Sequence, residues 1–220
     1  MKNTGQTPSA SPRSFTGDQA QAFTTGGNAG GYRVTGLLIR MRETGTTPAY
    51  TVAIHGHIGG DGIIHPSPLY TFTNPASLPT SWGNASFTAP GDGFDLQPDT
   101  TYWVVMDTNH LNASTKIAVT ETADEDGGLA GWSIADTQRV RTAAATSWPI
   151  GASFVRANPL MLGLRGHANT APGVPTGLSV SAGTNSGELS VTWTAPTATG
   201  TGITDYDLRV FQGGTDPSED

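Results

Sequence analysis

The sequence predicts an all-β protein, and three observations point there. Apolar residues recur at every second position over several stretches, the period of a half-buried strand. Glycine (29) and proline (15) are abundant enough to punctuate many short strands with turns. Only 13% of residues are charged, which leaves too little Lys and Glu for long exposed helices. Five Trp, seven Phe and five Tyr supply core anchors that disordered chains lack.

The elements follow in chain order. Residues 1–20 are polar and turn-rich and offer at most one edge strand. The first firm strand is Ala20–Thr25, closed by the turn Asn28-Ala29-Gly30-Gly31. In Tyr32–Arg42, Leu37, Ile39 and Met41 share one face and Arg40 and Arg42 the other. In Tyr50–Ile58, Tyr50, Val52 and Ile54 face inward, opposite Ala53, His55 and His57. Weaker strands follow at Leu69–Thr73 and Ala85–Thr88. Thr101–Asp107 is apolar on both faces, Tyr102, Val104 and Met106 against Trp103 and Val105, and reads as a central strand. Lys116–Glu121 turns Ile117 and Val119 inward. Gly131–Ile134, Ser153–Arg156 and Leu160–Arg165 complete the set, while Asp136–Ala145 shows no clear period and reads as loop. Roughly ten short strands at this spacing predict a jelly-roll-like antiparallel β-sandwich over residues 1–166. A proline-containing linker spans 167–174, and the pattern restarts after it.

Charge narrows the partners. The net charge is −7, and no basic run interrupts it; the densest pairs are Arg40/Arg42 and Arg139/Arg141. Nucleic-acid binders need a basic face to displace counterions, so nucleic acid and anionic membranes are not expected partners. The absence of cysteine removes disulfide and thiolate frameworks. No stretch approaches the ~18 apolar residues of a membrane helix, so no membrane insertion is expected of this chain. The first residues carry no apolar signal region, so an export signal is expected outside this sequence.

The C-terminal residues resemble a known family. Val174-Pro175-Thr176-Gly177-Leu178-Ser179-Val180 looks like the first strand of a fibronectin type III domain. Glu188-Leu189-Ser190-Val191-Thr192-Trp193-Thr194-Ala195-Pro196 resembles the second, with Trp193 as core tryptophan. Ile203-Thr204-Asp205-Tyr206-Asp207-Leu208-Arg209-Val210 resembles the third, with Tyr206 as core tyrosine. The resemblance runs from about residue 173 to the C-terminus and implies three strands where such a sandwich needs ~7. Residues 175–220 are therefore expected to be an incomplete fibronectin type III domain, truncated relative to the natural product, with exposed apolar residues and unpaired edges.

Residues 3–166 resemble the β-sandwich repeat modules of large bacterial surface proteins. Carrying that resemblance are Gln21–Tyr32, Phe87-Thr88-Ala89-Pro90, Asp99–Val105, Gly131-Trp132-Ser133-Ile134 and Leu162-Gly163-Leu164-Arg165-Gly166. It implies an extracellular or cell-surface location, flanking domains of a larger polypeptide, and a glycan or protein ligand at the cell surface. It brings no catalytic residues, and no enzyme is expected. The leading function is a non-catalytic binding or spacer module for adhesion or display; the alternative is a carbohydrate-binding accessory module of a secreted glycoside hydrolase.

Several constellations carry candidate chemistry. Glu121, Asp124, Glu125 and Asp126 form the densest acidic cluster and would offer hard oxygens to a structural Ca²⁺; the ordinary reading is a solvated acidic turn. No other cofactor is expected. His55 and His57 share a strand face, with His65 downstream, but zinc needs three or four ligands and the more ordinary role is exposed rim histidines. Gly131-Trp132-Ser133-Ile134-Ala135 falls one residue short of a nucleophile elbow, which also requires a strand–turn–helix setting. Asp92, Asp95 and Asp99 read as turn formers rather than a glycosidase pair. Tyr32, Trp82, Trp132 and Trp148 lie in or beside loops and are the candidate ligand-binding aromatics, able to stack on sugar rings; the competing role is to plug the ends of the sandwich.

Overall fold

The computed structural model describes residues 1–45, 49–59, 63–108, 112–121, 127–141, 148, 155–170, 173–196 and 206–208. The chain divides into two compact units, Met1–Asn169 and Thr170–Asp220. Every element among the described residues is a strand, and every named strand pair is antiparallel.

In the first unit, one sheet is built on β3 (Tyr32–Glu43). Along it pair β12 (Leu162–Ala168), β9 (Asn112–Ile117), β6 (Gly83–Thr88) and β7 (Phe94–Leu96), and β1 (Arg13–Phe15) adds to β9. Arg40 marks the handover from β12 to β9: its N–H donates to the Met161 carbonyl at 2.9 Å and its carbonyl accepts from Ala118 N–H at 2.8 Å. The second sheet has the order β11 (Val155–Ala157), β10 (Ser133–Arg141), β2 (Asp18–Thr24), β8 (Thr101–Asp107), β4 (Thr51–Ile58), β5 (Ile63–Thr71).

Period-two alternation produces the packing. Leu37, Ile39 and Met41 of β3 point inward with their register partners Phe87, Ala85 and Ile117. They meet Phe23, Val52, Ile54, Tyr102, Val104 and Met106 of the second sheet in one apolar core. The two sheets therefore form a sandwich. Burying each large apolar side chain is worth about 1.5–3 kcal/mol, which makes this core the main stabilising feature. Tyr50 lies edge-on to Phe87 across it at 6.3 Å, and burial pushes its phenol up to about 12.

The central strand β8 buries both faces, as its double apolar pattern predicts. Its other face carries Trp103 and Val105 into a smaller cluster with Ala20, Ala22, Ile64 and Trp148. This outer face also holds the buried carboxylate of Asp18. Arg141 Nε donates to Asp18 Oδ2 at 2.7 Å, and Thr108 N–H donates to Asp18 Oδ1 at 2.9 Å.

Several elements differ from the sequence reading: β7 is absent from it, β9 ends at Ile117 where the reading runs from Lys116 to Glu121, and three further boundaries shift. β10 runs on through Arg141, where Asp136–Ala145 reads as loop; a register shift between Ile134 and Gln138 breaks the apolar period there. Gln21 bridges that irregularity, its Nε2 donating to the Ala135 carbonyl at 2.9 Å and its Oε1 accepting from Leu160 N–H. β5 starts at Ile63, well before Leu69, and tolerates Pro66 and Pro68 because it is an edge strand. β12 continues through His167 and Ala168, which the sequence reading assigns to the linker; they pair with Arg33 and Tyr32.

The second unit contains a hairpin of β13 (Thr176–Ala182) and β14 (Leu189–Thr194). Val180 stands opposite Val191. Trp193 meets Tyr206 edge-on at 5.3 Å. Leu178, Val180, Leu189, Trp193, Tyr206 and Leu208 are all exposed. Residues 206–208 carry no strand, and the remainder of the expected third strand lies outside the described residues.

Candidate functional site

The N-terminal segment extends the first sheet beyond β12. Leu164 N–H donates to the Met1 carbonyl at 2.9 Å, and Asn3 N–H to the Leu162 carbonyl at 3.0 Å. Asn3 is fully buried, and its side-chain amide closes the junction by pairing with Leu160 and Leu162 backbone groups. Lys2 N–H then donates to the Gly127 carbonyl at 2.9 Å, so the segment is flanked on both sides.

Between these strands lies a cavity of about 510 Å³. Its apolar lining comes from Tyr32, Val34, Leu38, Leu129, Trp132 and Leu164, with Met1 and glycines 127, 128, 163 and 166 between them. Its cationic lining comes from Lys2, Arg33 and Arg165, with His167 beside them. The turn before β3 sets the aromatic wall. Gly26 is required there, since a Cβ would stand 2.6 Å from both the Tyr32 hydroxyl and the Ala130 carbonyl. The Tyr32 hydroxyl accepts from Asn28 N–H at 3.2 Å, which holds the ring. Trp132 crosses that ring edge-on at 4.8 Å and stacks on Phe23 at 5.9 Å. The Trp132 indole N–H has no hydrogen-bond partner among the described residues.

Arg33 is partly neutralised, its guanidinium donating to Asp95 at 3.0 Å, and Asn169 holds the other carboxylate oxygen of Asp95. Among the described residues that line the cavity, none carries a carboxylate, a Ser or Thr hydroxyl, or a thiol. The apolar wall and cationic rim can accommodate a ligand with an apolar face and an electron-rich edge.

The structure brings two of the four candidate aromatics together, Tyr32 and Trp132. Tyr32 is only 4% exposed, so its face belongs mostly to the core; Trp132 is the half-buried member that borders the cavity. Trp82 lies elsewhere on the first sheet, under the Arg42 guanidinium at 4.9 Å. Trp148 is buried in the cluster outside the second sheet, with the Arg141 guanidinium 5.1 Å from its ring.

Of the acidic cluster, Glu121 is exposed, while Asp124, Glu125 and Asp126 lie outside the described residues. His55 is buried, unlike the rim position expected for it. Its Nδ1–H donates to the His65 carbonyl at 2.7 Å. Trp103 Nε1 donates to His57 Nδ1 at 3.3 Å, so the two imidazoles are engaged separately. No group of three metal-ligating side chains forms among the described residues. Ser133 opens a strand rather than a strand–turn–helix elbow. Asp99 adopts φ 45° in its turn, and Asp95 serves Arg33.

The sequence reading missed the cationic lining, because Lys2, Arg33 of β3, and Arg165 and His167 of β12 come from three distant segments that meet only through β3–β12 pairing and the bridge of Lys2 to Gly163. Only the alternation of Arg33 with Tyr32 and Val34 signals that Arg33 leaves the core. In comparisons with known proteins, no family model, curated protein or solved structure matches the chain.

Proposed function

We propose that the chain is a non-catalytic binding and spacer module of a modular extracellular protein, of the bacterial surface or secreted kind. Its contact site is the cavity walled by Trp132 and Tyr32. The observation that carries this reading is the lining, an aromatic wall of Tyr32 and Trp132 beside a cationic rim of Lys2, Arg33 and Arg165. Residues 175–220 act in this reading as part of a fibronectin type III spacer. The Trp193–Tyr206 contact and the hairpin register support that role.

A carbohydrate-binding accessory module is the second reading. It is favoured by the half-buried indole of Trp132, since aromatic faces stack on the apolar C–H faces of sugar rings. The test is a glycan array and a panel of extracellular-matrix proteins probed with the full chain and with Trp132→Ala. A ligand whose signal falls at least tenfold in the variant supports the site. A ligand retained unchanged by the variant places contact elsewhere, and blank arrays and panels remove both readings.

A further inference from the structure

The chain is acidic overall, yet the outer face of its first sheet gathers cations. Arg40 and Arg42 leave β3 on the side opposite Ile39 and Met41, and Lys116 stands directly across from Arg42 in the register. All three are half-buried. None of them forms an ion pair among the described residues. Like charges directly opposite each other on neighbouring strands repel, so this pair opposes folding unless a counter-charge sits between them. The Nε groups of Arg40 and Arg42 are buried and have no hydrogen-bond partner among the described residues. Trp82 lies beneath the Arg42 guanidinium, its ring centroid 4.9 Å from Arg42 Cζ, which limits the motion of that group. Fixed, planar guanidinium groups suit the paired oxygens of carboxylates and sulfates.

We infer that Arg40, Arg42 and Lys116 form a binding site for an acidic polysaccharide, whose carboxylate or sulfate groups seat between the three cations. None of these three cations lines the Trp132 cavity, and the assignment does not depend on that cavity. Two observations favour a polysaccharide over nucleic acid. The cluster is short, about 7 Å from Arg40 to Arg42 at the rise of a strand. One face of the Trp82 indole is covered by Arg42, so that face is not free to stack on bases.

The test measures binding of the full chain to polygalacturonate, dextran sulfate, neutral dextran and duplex DNA at low salt and at physiological salt. The double variant Arg42→Gln/Lys116→Gln is compared with Arg139→Gln, which removes a cation from the other sheet. Expected is binding to at least one acidic polysaccharide, none to neutral dextran, and a loss of at least tenfold in the double variant with less than twofold in Arg139→Gln. Polygalacturonate binding identifies carboxylate as the recognised group and dextran sulfate binding identifies sulfate. The double variant is expected to melt no lower than the parent, since a like-charge pair is removed. Should it fail to fold, Arg40→Gln provides the same comparison. Absence of binding to both acidic polymers at low salt, equal losses in Arg139→Gln, or tighter binding to DNA would overturn the assignment.

Discussion

Asp18 is the buried charge on which the second sheet depends, and replacing it by Asn tests how that sheet is held. Its side chain is fully buried. One carboxylate oxygen accepts Arg141 Nε at 2.7 Å and lies 2.6 Å from Arg141 Nη2, while the other accepts Thr108 N–H at 2.9 Å. The Asn amide can keep the bond from Thr108 but leaves the guanidinium without its main counter-charge. Arg141 is only 16% exposed, so water cannot fully replace that partner. Breaking a buried pair from one side costs about 3–5 kcal/mol. Asp107, 3.1 Å from Arg141 and 46% exposed, remains to compensate, which puts the loss near the low end of that range. At about 2–4 °C per kcal/mol for a unit of this size, a loss of about 3 kcal/mol lowers the melting temperature by about 6–12 °C. Urea denaturation of the parent, Asp18→Asn, Arg141→Gln and the double variant gives the cycle. The expected coupling is at least about 1 kcal/mol. If Asp18→Asn lies within about 0.5 kcal/mol of the parent, the buried pair does not hold the sheet and the reasoning fails.

Other consequences are independent of that pair. Gly31 has φ 69°, and a Cβ there would stand 2.5 Å from the Leu96 carbonyl oxygen, so Gly31→Ala is expected to cost at least about 1–2 kcal/mol by chemical denaturation; a neutral effect would mean the turn before β3 is different. Burial above all holds the His55 imidazole below its ordinary value of 6.5, outweighing the hydrogen bond to His65 that raises it. The fold therefore favours neutral His55. Its contribution to stability is complete above about pH 6.5 and is lost as pH falls from there through the folded value. His55→Gln should flatten that part of the stability profile, and an unchanged slope would contradict the buried, neutral imidazole. Limited proteolysis should cut first within residues 175–220, where the apolar side chains of β13 and β14 are exposed, and leave residues 1–169 intact; a resistant C-terminal unit would contradict the exposure of those side chains.

The inner faces of the sandwich were legible because alternation alone decides them. Leu160, Leu162 and Leu164, Leu37, Ile39 and Met41, and Tyr102, Val104 and Met106 all point where the period puts them. Edges were less legible, since strands such as β5 and β10 carry prolines or polar residues at positions that no partner sheet buries. Trp103 was legible as buried but not as part of a second cluster, because β8 is apolar on both faces and either face can join the main core. The candidate site was least legible. Tyr32 opens β3 in one sheet and Trp132 precedes β10 in the other, so they meet only in the folded sandwich, and Arg42 meets Lys116 only through β3–β9 register. Such juxtapositions leave no mark in a local window of sequence.

The lysines of the chain, Lys2 and Lys116, report the two proposed surfaces separately: Lys2 borders the cavity and Lys116 stands on the basic face. Amine labelling read by mass spectrometry, with and without saturating acidic polysaccharide, therefore addresses the claim that the outer face of the first sheet makes contact. Protection of Lys116 with Lys2 still labelled is the predicted pattern. Equal labelling of Lys116 in the free and the polysaccharide-saturated protein would contradict it.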